Sequence, residues 1–235
     1  MSSPAKLALV TGASRGIGAA TAEALAAAGW HVILTARTVA GLEAVEERIH
    51  ASGGSATIAP LDLADSDAIA RLGTAIASRW TALDALVLNA ASLGTLSPVP
   101  HIDGKEFTKT LALNATAQAA LIAAFDPLLR AHGNARVIGV TSSVGATPRA
   151  YWGAYGASKA AFEALLIAYA EETRNIGRVR IAIVDPGATR TAMRARAFPG
   201  EDPASIKPPE AVAARIAALV EEPFETGVRI AVNQS

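Results

Sequence analysis

The sequence predicts a doubly wound α/β fold, a parallel sheet of seven strands with helices on both faces. Three observations predict it. Short apolar runs alternate with longer alanine-rich stretches along the whole chain. The first run leads straight into a glycine-rich turn and then a helical stretch. Hydrophobic residues make up 51% of the 235 and charged residues 18%, enough apolar material for a large core and too little charge for disorder.

The strands, in order, are residues 7–10, 32–34, 56–59, 86–88, 137–140, 181–184 and 228–232. Each has the length and continuous apolar character of a strand buried on both faces. The stretches between them carry helix-start signals. Thr38 or Gly41 opens one that runs through Ile49, and Ser66 with Asp67 opens another. Pro208 and Pro209 suit the first turn of a third, where a missing N–H costs nothing. Seven strands alternating with six helices predict a sheet covered on both sides. No repeat, charge block or low-complexity linker breaks the rhythm, so residues 1–235 read as a single domain.

Two helical stretches differ from the rest. Residues 111–125 are uncharged, and residues 160–170 carry Glu163 as their only charge. A helix covering a sheet in a monomer shows a polar outer face. These two predict a second copy against them, in a homodimer or homotetramer. The first contains Asn114, Thr116 and Gln118 and falls short of the ~20 apolar residues of a spanning helix, so no membrane partner is expected. The apolar run after the N-terminus is too short for a signal peptide.

Lysine plus arginine and aspartate plus glutamate number 21 each, so no global basic field exists to hold nucleic acid or an anionic membrane. Cysteine is absent, which excludes disulfides and thiolate metal sites and fits a cytoplasmic protein. His31, His50, His101 and His132 lack ligand spacing, so no metal is expected.

The glycine turn is Thr11-Gly12-Ala13-Ser14-Arg15-Gly16-Ile17-Gly18. Gly12 permits a tight turn, Gly16 lets backbone approach a pyrophosphate, and Gly18 lets the helix pack close to the strand. The helix's free N–H groups then face the anion. The second strand ends at Leu34-Thr35-Ala36-Arg37, with no acid to grip ribose hydroxyls. Arg37, joined by Arg15, suits a 2′-phosphate instead, which favours NADP(H) over NAD(H).

Tyr155 and Lys159 are four apart and share a helix face. An ammonium beside a phenol favours the phenolate, as a general base or acid near neutrality requires. A serine of Thr141-Ser142-Ser143, at the end of the fifth strand, can orient a carbonyl oxygen.

Together these motifs resemble the classical short-chain dehydrogenase/reductase family over nearly the whole chain. The likeness extends to Asp62-Leu63, Asn89-Ala90, Asn114 and Pro186-Gly187 with Thr189 and Thr191. It implies a Rossmann-type sheet and four catalytic residues. Tyr155 would be the general acid/base, and Lys159 would lower its pKa and bond the nicotinamide ribose. Ser142 would position the substrate oxygen, and Asn114 would distort its helix and hold a relay water. Cofactor contacts carried over are Gly12, Ser14, Arg15, Gly16, Ile17, Gly18, Arg37, Asp62, Leu63, Asn89, Tyr155, Lys159, Pro186, Gly187, Thr189 and Thr191. Ser142 is chosen over Ser143 because it precedes Tyr155 by 13, the family spacing, and shares strand parity with Val140.

Three features depart from the family. Ala91 replaces a usual glycine, suggesting altered loop geometry. The tail Ile230–Ser235 lacks an Asp-Gly-Gly ending. The segment covering the substrate, about residues 188–207, is short; its Arg190, Arg194 and Arg196 hint at an anionic substrate. Trp152, Tyr151 and Leu93 suggest apolar pocket walls. The reading is an NADP(H)-dependent oxidoreductase interconverting a small-molecule carbonyl and an alcohol. Its alternative is a non-catalytic NADP(H)-binding regulatory module, which would not need Tyr155 and Lys159.

Overall fold

All seven apolar runs are strands. The computed structural model describes residues 6–232, and its chain runs β1 (Leu7–Thr11), α1 (Gly16–Ala27), β2 (His31–Thr35), α2 (Val39–Ala51), β3 (Ser55–Ile58), α3 (Ser66–Ala77) and β4 (Ala85–Leu88). There follow α4 (Gly104–Leu111), a π-helical turn (Ala112–Thr116), α5 (Ala117–His132), β5 (Ala135–Val140), α6 (Ser143–Ala146) and α7 (Gly153–Arg174). The chain closes with β6 (Val179–Asp185), α8 (Ala192–Ala197), α9 (Pro209–Glu221) and β7 (Val228–Ala231).

The strands form one parallel sheet in the order β3-β2-β1-β4-β5-β6-β7. In register, Val10 lies beside Leu34 on one flank and Val87 on the other. Side chains alternate between two apolar layers. Val10, Leu34, Val87, Ile138 and Val184 pack against Leu25, Val45 and Ile216 of α1, α2 and α9. Leu9, Ile33, Leu86, Val137 and Ile183 pack against Ile69, Phe125, Phe162 and Leu166 of α3, α5 and α7. Burying one such side chain contributes about 1.5–3 kcal/mol. Covering both faces is why the inner runs are continuously apolar. The two edge strands depart from that expectation: β7 is nowhere fully buried, and β3 begins exposed.

Helix starts are settled by geometry. Thr38, not Gly41, precedes α2. Asp65 caps α3 by accepting from the Ala68 N–H at 3.0 Å, so Ser66 and Asp67 fall inside the first turn. Pro208 precedes α9 and Pro209 is its first residue. The stretch 111–125 is longer than expected. α4, the π turn and α5 make one helix, Gly104–His132, of 29 residues, long and apolar enough by length and composition to cross a bilayer. Its Leu121, Phe125 and Leu129 are fully buried against the sheet, as in a core helix.

The order of strands reverses between β1 and β4. In open α/β sheets the ligand crevice lies at the carboxyl ends of the strands, at such a switch point.

Candidate active site

The residues singled out from the sequence gather at that end of the sheet. Gly12 follows β1, Asn89 follows β4, Ser142 follows β5, and Pro186 and Gly187 follow β6. Gly12 and Gly16 have φ of +66° and +58°, the left-handed region that favours glycine. Gly18 sits against the turn itself: a Cβ there would lie 2.3 Å from the Gly12 carbonyl oxygen and 2.5 Å from Asn89 Nδ2. Asn89 ties the turn down by donating to the Thr11 carbonyl at 2.9 Å. Thr11 Oγ1 accepts from the N–H groups of Asn89 and Ala90 at 2.9 and 3.0 Å. Thr11 was within the sequence signature, yet only geometry reveals this clamp. Ile17 packs partly buried on the core, and Asp62 Oδ1 accepts from the Ala64 N–H at 3.0 Å, with Leu63 buried beside it.

The turn and the end of β2 are joined directly, since the Ala13 N–H donates to the Thr35 carbonyl at 3.2 Å. Arg15 and Arg37 each lie two residues beyond that bond and are exposed. Neither guanidinium group has an ion-pair or hydrogen-bond partner among the described residues. A Cβ on Gly41 would come within 2.9 Å of Ser14 Cβ, so the start of α2 presses on the same turn. Backbone cradle and unpaired guanidinium groups together fit a phosphorylated dinucleotide. Thr191 reaches the turn from the far side, its Cγ2 3.4 Å from where a Gly16 Cβ would sit. Thr189 Oγ1 donates to the Pro186 carbonyl at 3.0 Å and steadies the segment between. Ala91 is not left-handed, so alanine is unstrained where glycine was expected.

Tyr155 and Lys159 are buried side by side on α7, 6% and 2% exposed. The Ser142 hydroxyl is close enough to the Tyr155 phenol to draw its pKa down, while Ser143 Oγ accepts from Arg149 at 3.4 Å. Of the two serines, Ser142 is the one beside the phenol. The electrostatics differ from expectation. Burial pushes the Tyr155 phenol up to about 12, against the hydrogen bond from Ser142 and with help from the Asp185 carboxylate. Lys159 does not depress it in this arrangement. Its Nζ donates to the Val140 carbonyl at 2.9 Å and lies 5.9 Å from the Tyr155 ring centre. Burial brings the lysine itself down to about 8, opposed by Glu163.

Asn114 lies in the π turn, so the expected distortion of its helix is present. Its Oδ1 accepts from the Ser92 N–H at 2.8 Å. Its Nδ2 donates to the Ser92 carbonyl at 2.8 Å and to Ser158 Oγ at 2.9 Å. Ser158 Oγ in turn donates to the Tyr155 carbonyl at 2.7 Å. Asn114 thus locks the post-β4 loop to the first turn of α7. Gln118 Nε2 donates to Leu113 and Ala90 carbonyls at 2.9 and 3.1 Å, satisfying a carbonyl inside the widened turn. Ser92 and Gln118 carried no recognisable signal in the sequence.

An apolar cluster covers Tyr155: Leu93 and Val144, with Leu96, Trp152, Met193 and Ala197 packed against them. Phe198 extends it, 5.6 Å from Trp152 between ring centres. Tyr151 was expected in this wall but is 61% exposed, with a left-handed φ of 70°. Its carbonyl accepts from the Ser97 N–H at 3.0 Å, and that contact fixes the loop before α7. Two of the three loop arginines are occupied. Arg194 pairs with Glu201 at 2.5 Å, and Arg196 donates to the Gly94 carbonyl. The case for an anionic substrate loses these two residues. Beyond Leu93, a cavity of about 460 Å³ opens among Ser92, Leu96, Glu106 and Arg196.

Comparison with known proteins gives concordant results. The sequence profile of the family described as short chain dehydrogenase matches residues 6–202. The uncharacterized oxidoreductase YciK of Escherichia coli K12 is 37% identical over 207 residues, spanning 87% of this chain and 81% of that protein. A structure of a short chain dehydrogenase from Pseudomonas syringae superposes with a TM-score of 0.94 at 35% identity, covering 97% of this chain and 94% of the other. One from Escherichia coli CFT073, complexed with NADPH, gives 0.93 at 35% identity, covering 97% of both.

Proposed function

The chain belongs to the short-chain dehydrogenase family, and from that premise we propose that it is an NADP(H)-dependent reductase of apolar carbonyl compounds, with Tyr155 as its acid. The observation that carries this reading is the Tyr155 phenol buried beside Lys159 under an apolar cover at the carboxyl end of the sheet. The phenol is protonated at neutrality and so able to give a proton, and pairing with NADPH sets the reaction as a reduction.

When bound, NADPH supplies the hydride. The chain's residues do the rest. The glycine turn and the start of α1 hold the pyrophosphate, and Arg15 and Arg37 hold the 2′-phosphate. Asn89, Asp62, Pro186, Gly187, Thr189 and Thr191, gathered around the same turn, would make the remaining contacts to the cofactor. Ser142 Oγ holds the carbonyl oxygen beside Tyr155 Oη, and the phenol gives its proton to that oxygen. Lys159 orients the nicotinamide ribose and, once turned from the Val140 carbonyl, stabilises the phenolate left behind. Asn114, fixed by Ser92 and Ser158, sets the π turn from which a relay water would resupply the proton. Leu93, Val144, Trp152 and Met193 exclude bulk water and favour an apolar group next to the carbonyl. The retained Tyr155–Lys159 pair argues against a purely regulatory NADP(H)-binding module.

The test is Tyr155→Phe against a carbonyl panel read by NADPH absorbance. Phenylalanine keeps the packing and removes the transferable proton, so turnover falls by about 10²–10⁴ while NADPH affinity stays within a few-fold. Near-normal turnover in the variant would remove Tyr155 from its role.

A further inference from the structure

Glu163 is the only charge in an otherwise apolar stretch of α7, and it does not face solvent. Its side chain is 11% exposed and lies on the same helix face as Tyr155 and Lys159, at successive four-residue steps. Its two oxygens are separately engaged. Oε1 accepts from Thr141 Oγ1 of the β5 end at 2.5 Å, and Oε2 accepts from Arg229 Nε of β7 at 3.3 Å. Arg229 Nη2 donates onward to Asp185 Oδ2 at 3.2 Å, and Asp185 Oδ1 accepts from the Gly187 N–H at 3.0 Å. The turn that carries Ser142 closes over the group: a Cβ on Gly145 would sit 3.1 Å from Lys159 Cβ and 3.2 Å from Glu163 Oε1.

Charges therefore alternate from the buried lysine outward: Lys159, Glu163, Arg229, Asp185. Lys207, buried before α9, adds a further cation near Asp185 and donates to the Ala188 carbonyl at 3.0 Å. A buried ammonium held by one carbonyl is unstable in charged form without a nearby anion. Among the described residues, the other elements packed on this part of α7 bring no carboxylate that is free for this. α4 carries Lys105, Glu106 and Lys109, with Lys109 and Glu106 paired at 3.2 Å on its surface. The π turn presents the neutral Asn114. From β6 comes Asp185, which is already shared by Arg229 and Gly187.

We propose that Glu163, clamped by Thr141 and Arg229, is a positioning residue that keeps the Lys159 ammonium charged in its dry pocket. This rests on the role given to Lys159 above. Glu163 touches neither substrate nor cofactor. It acts through Lys159, and β7 reaches the site through Arg229. Burial alone pulls the lysine down toward neutrality, and Glu163 is the group that opposes it.

The test compares wild type, Glu163→Gln, Glu163→Asp and Arg229→Met. The readouts are NADPH affinity against pH by fluorescence titration, and the kcat–pH profile for NADPH-dependent reduction. In Glu163→Gln the alkaline midpoint of both falls by about one pH unit. At pH 6 the carbonyl KM stays within about twofold, and Glu163→Asp restores part of the shift. Arg229→Met frees one end of the clamp, so its midpoint also falls, by less than in Glu163→Gln. Rescue by Glu163→Asp is what an electrostatic role requires, since mere loosening of the fold would leave the charge-conserving variant no better than Glu163→Gln. Superimposable profiles for wild type and Glu163→Gln would overturn the proposal. If Glu163→Gln does not fold, Arg229→Met decides, and a midpoint that fails to fall overturns it. Loss of the Tyr155→Phe effect would instead refute the proposed reaction and leave the NADPH-affinity shift as a separate observation.

Discussion

Replacing Gly18 by alanine should damage the nucleotide turn from inside a helix that would otherwise welcome the change. Alanine in a helix interior is favoured over glycine by about 1 kcal/mol. Against that, the new methyl would sit 2.3 Å from the Gly12 oxygen, 2.5 Å from Asn89 Nδ2 and 2.8 Å from the Gly12 carbonyl carbon. Two of those atoms are backbone and cannot swing away. Overpacking of this kind costs about 1–3 kcal/mol. Moving the Asn89 amide also breaks its bond to the Thr11 carbonyl, about 1 kcal/mol more. The net loss is about 1–3 kcal/mol, a fall in Tm of about 2–12 °C for a chain this size. Displacing the turn also misdirects the N–H groups of α1, so NADPH affinity should fall by at least about tenfold. The assay is thermal melting plus NADPH fluorescence titration. Gly104→Ala is the control, because nothing lies within 4 Å of its Cβ position and it opens α4. Wild-type affinity in Gly18→Ala would refute the reasoning that the turn's shape depends on this contact.

Three further outcomes are expected. Arg37→Ala should weaken NADPH by roughly tenfold to a hundredfold and leave NADH within a few-fold, since charge-assisted bonds contribute about 1.5–3 kcal/mol; equal wild-type affinity for both cofactors would sink this. Reduction should be flat with pH through neutrality and decline as Lys159, brought down to about 8, loses its proton, whereas alcohol oxidation, which needs the phenolate of Tyr155, should climb with pH. An oxidation rate that falls with rising pH would contradict that assignment. The protein should be a dimer or tetramer, because α7 exposes Leu165 at 38% and Ile167 at 48% alongside Ala160, Ala164 and Ala168; light scattering showing a single 24 kDa chain at micromolar concentration would refute it.

What could be read from the sequence follows from how local each signal is. The strands were legible because a two-sided sheet demands unbroken apolar runs, and the glycine turn because its backbone angles demand glycine. A helix converts the spacing of four between Tyr155 and Lys159 into a shared face, but such pairs are common, and it was the family resemblance that singled them out. Contacts between elements distant in sequence were not. Asn114 meets Ser92 across 22 residues, and Arg229 meets Glu163 across 66. No periodicity encodes either distance. The length of the helix containing Asn114 was misjudged because charged residues of α4 hide its continuation through the π turn. The direction of the Tyr155 shift was misjudged because spacing places Lys159 on the right face but says nothing of the Val140 carbonyl that claims its proton.

The two unexpected features of the site, a phenol raised by burial and a lysine lowered by it, have one cause and complementary consequences. The apolar cover of Leu93, Val144, Trp152 and Met193 removes water from Tyr155, and the sheet and α6 remove it from Lys159. Dry surroundings penalise the phenolate and the ammonium separately, but a phenolate beside an ammonium cancels much of both penalties. In the proposed reduction, the proton loss that forms the phenolate is therefore the step at which Lys159 would be most useful, and the lysine would have to reach that step still charged. With only the Val140 carbonyl to hold it, burial would work against that state throughout the cycle. An anion on the next turn of α7 supplies the counterweight, and tying that anion to β7 keeps it from swinging to solvent.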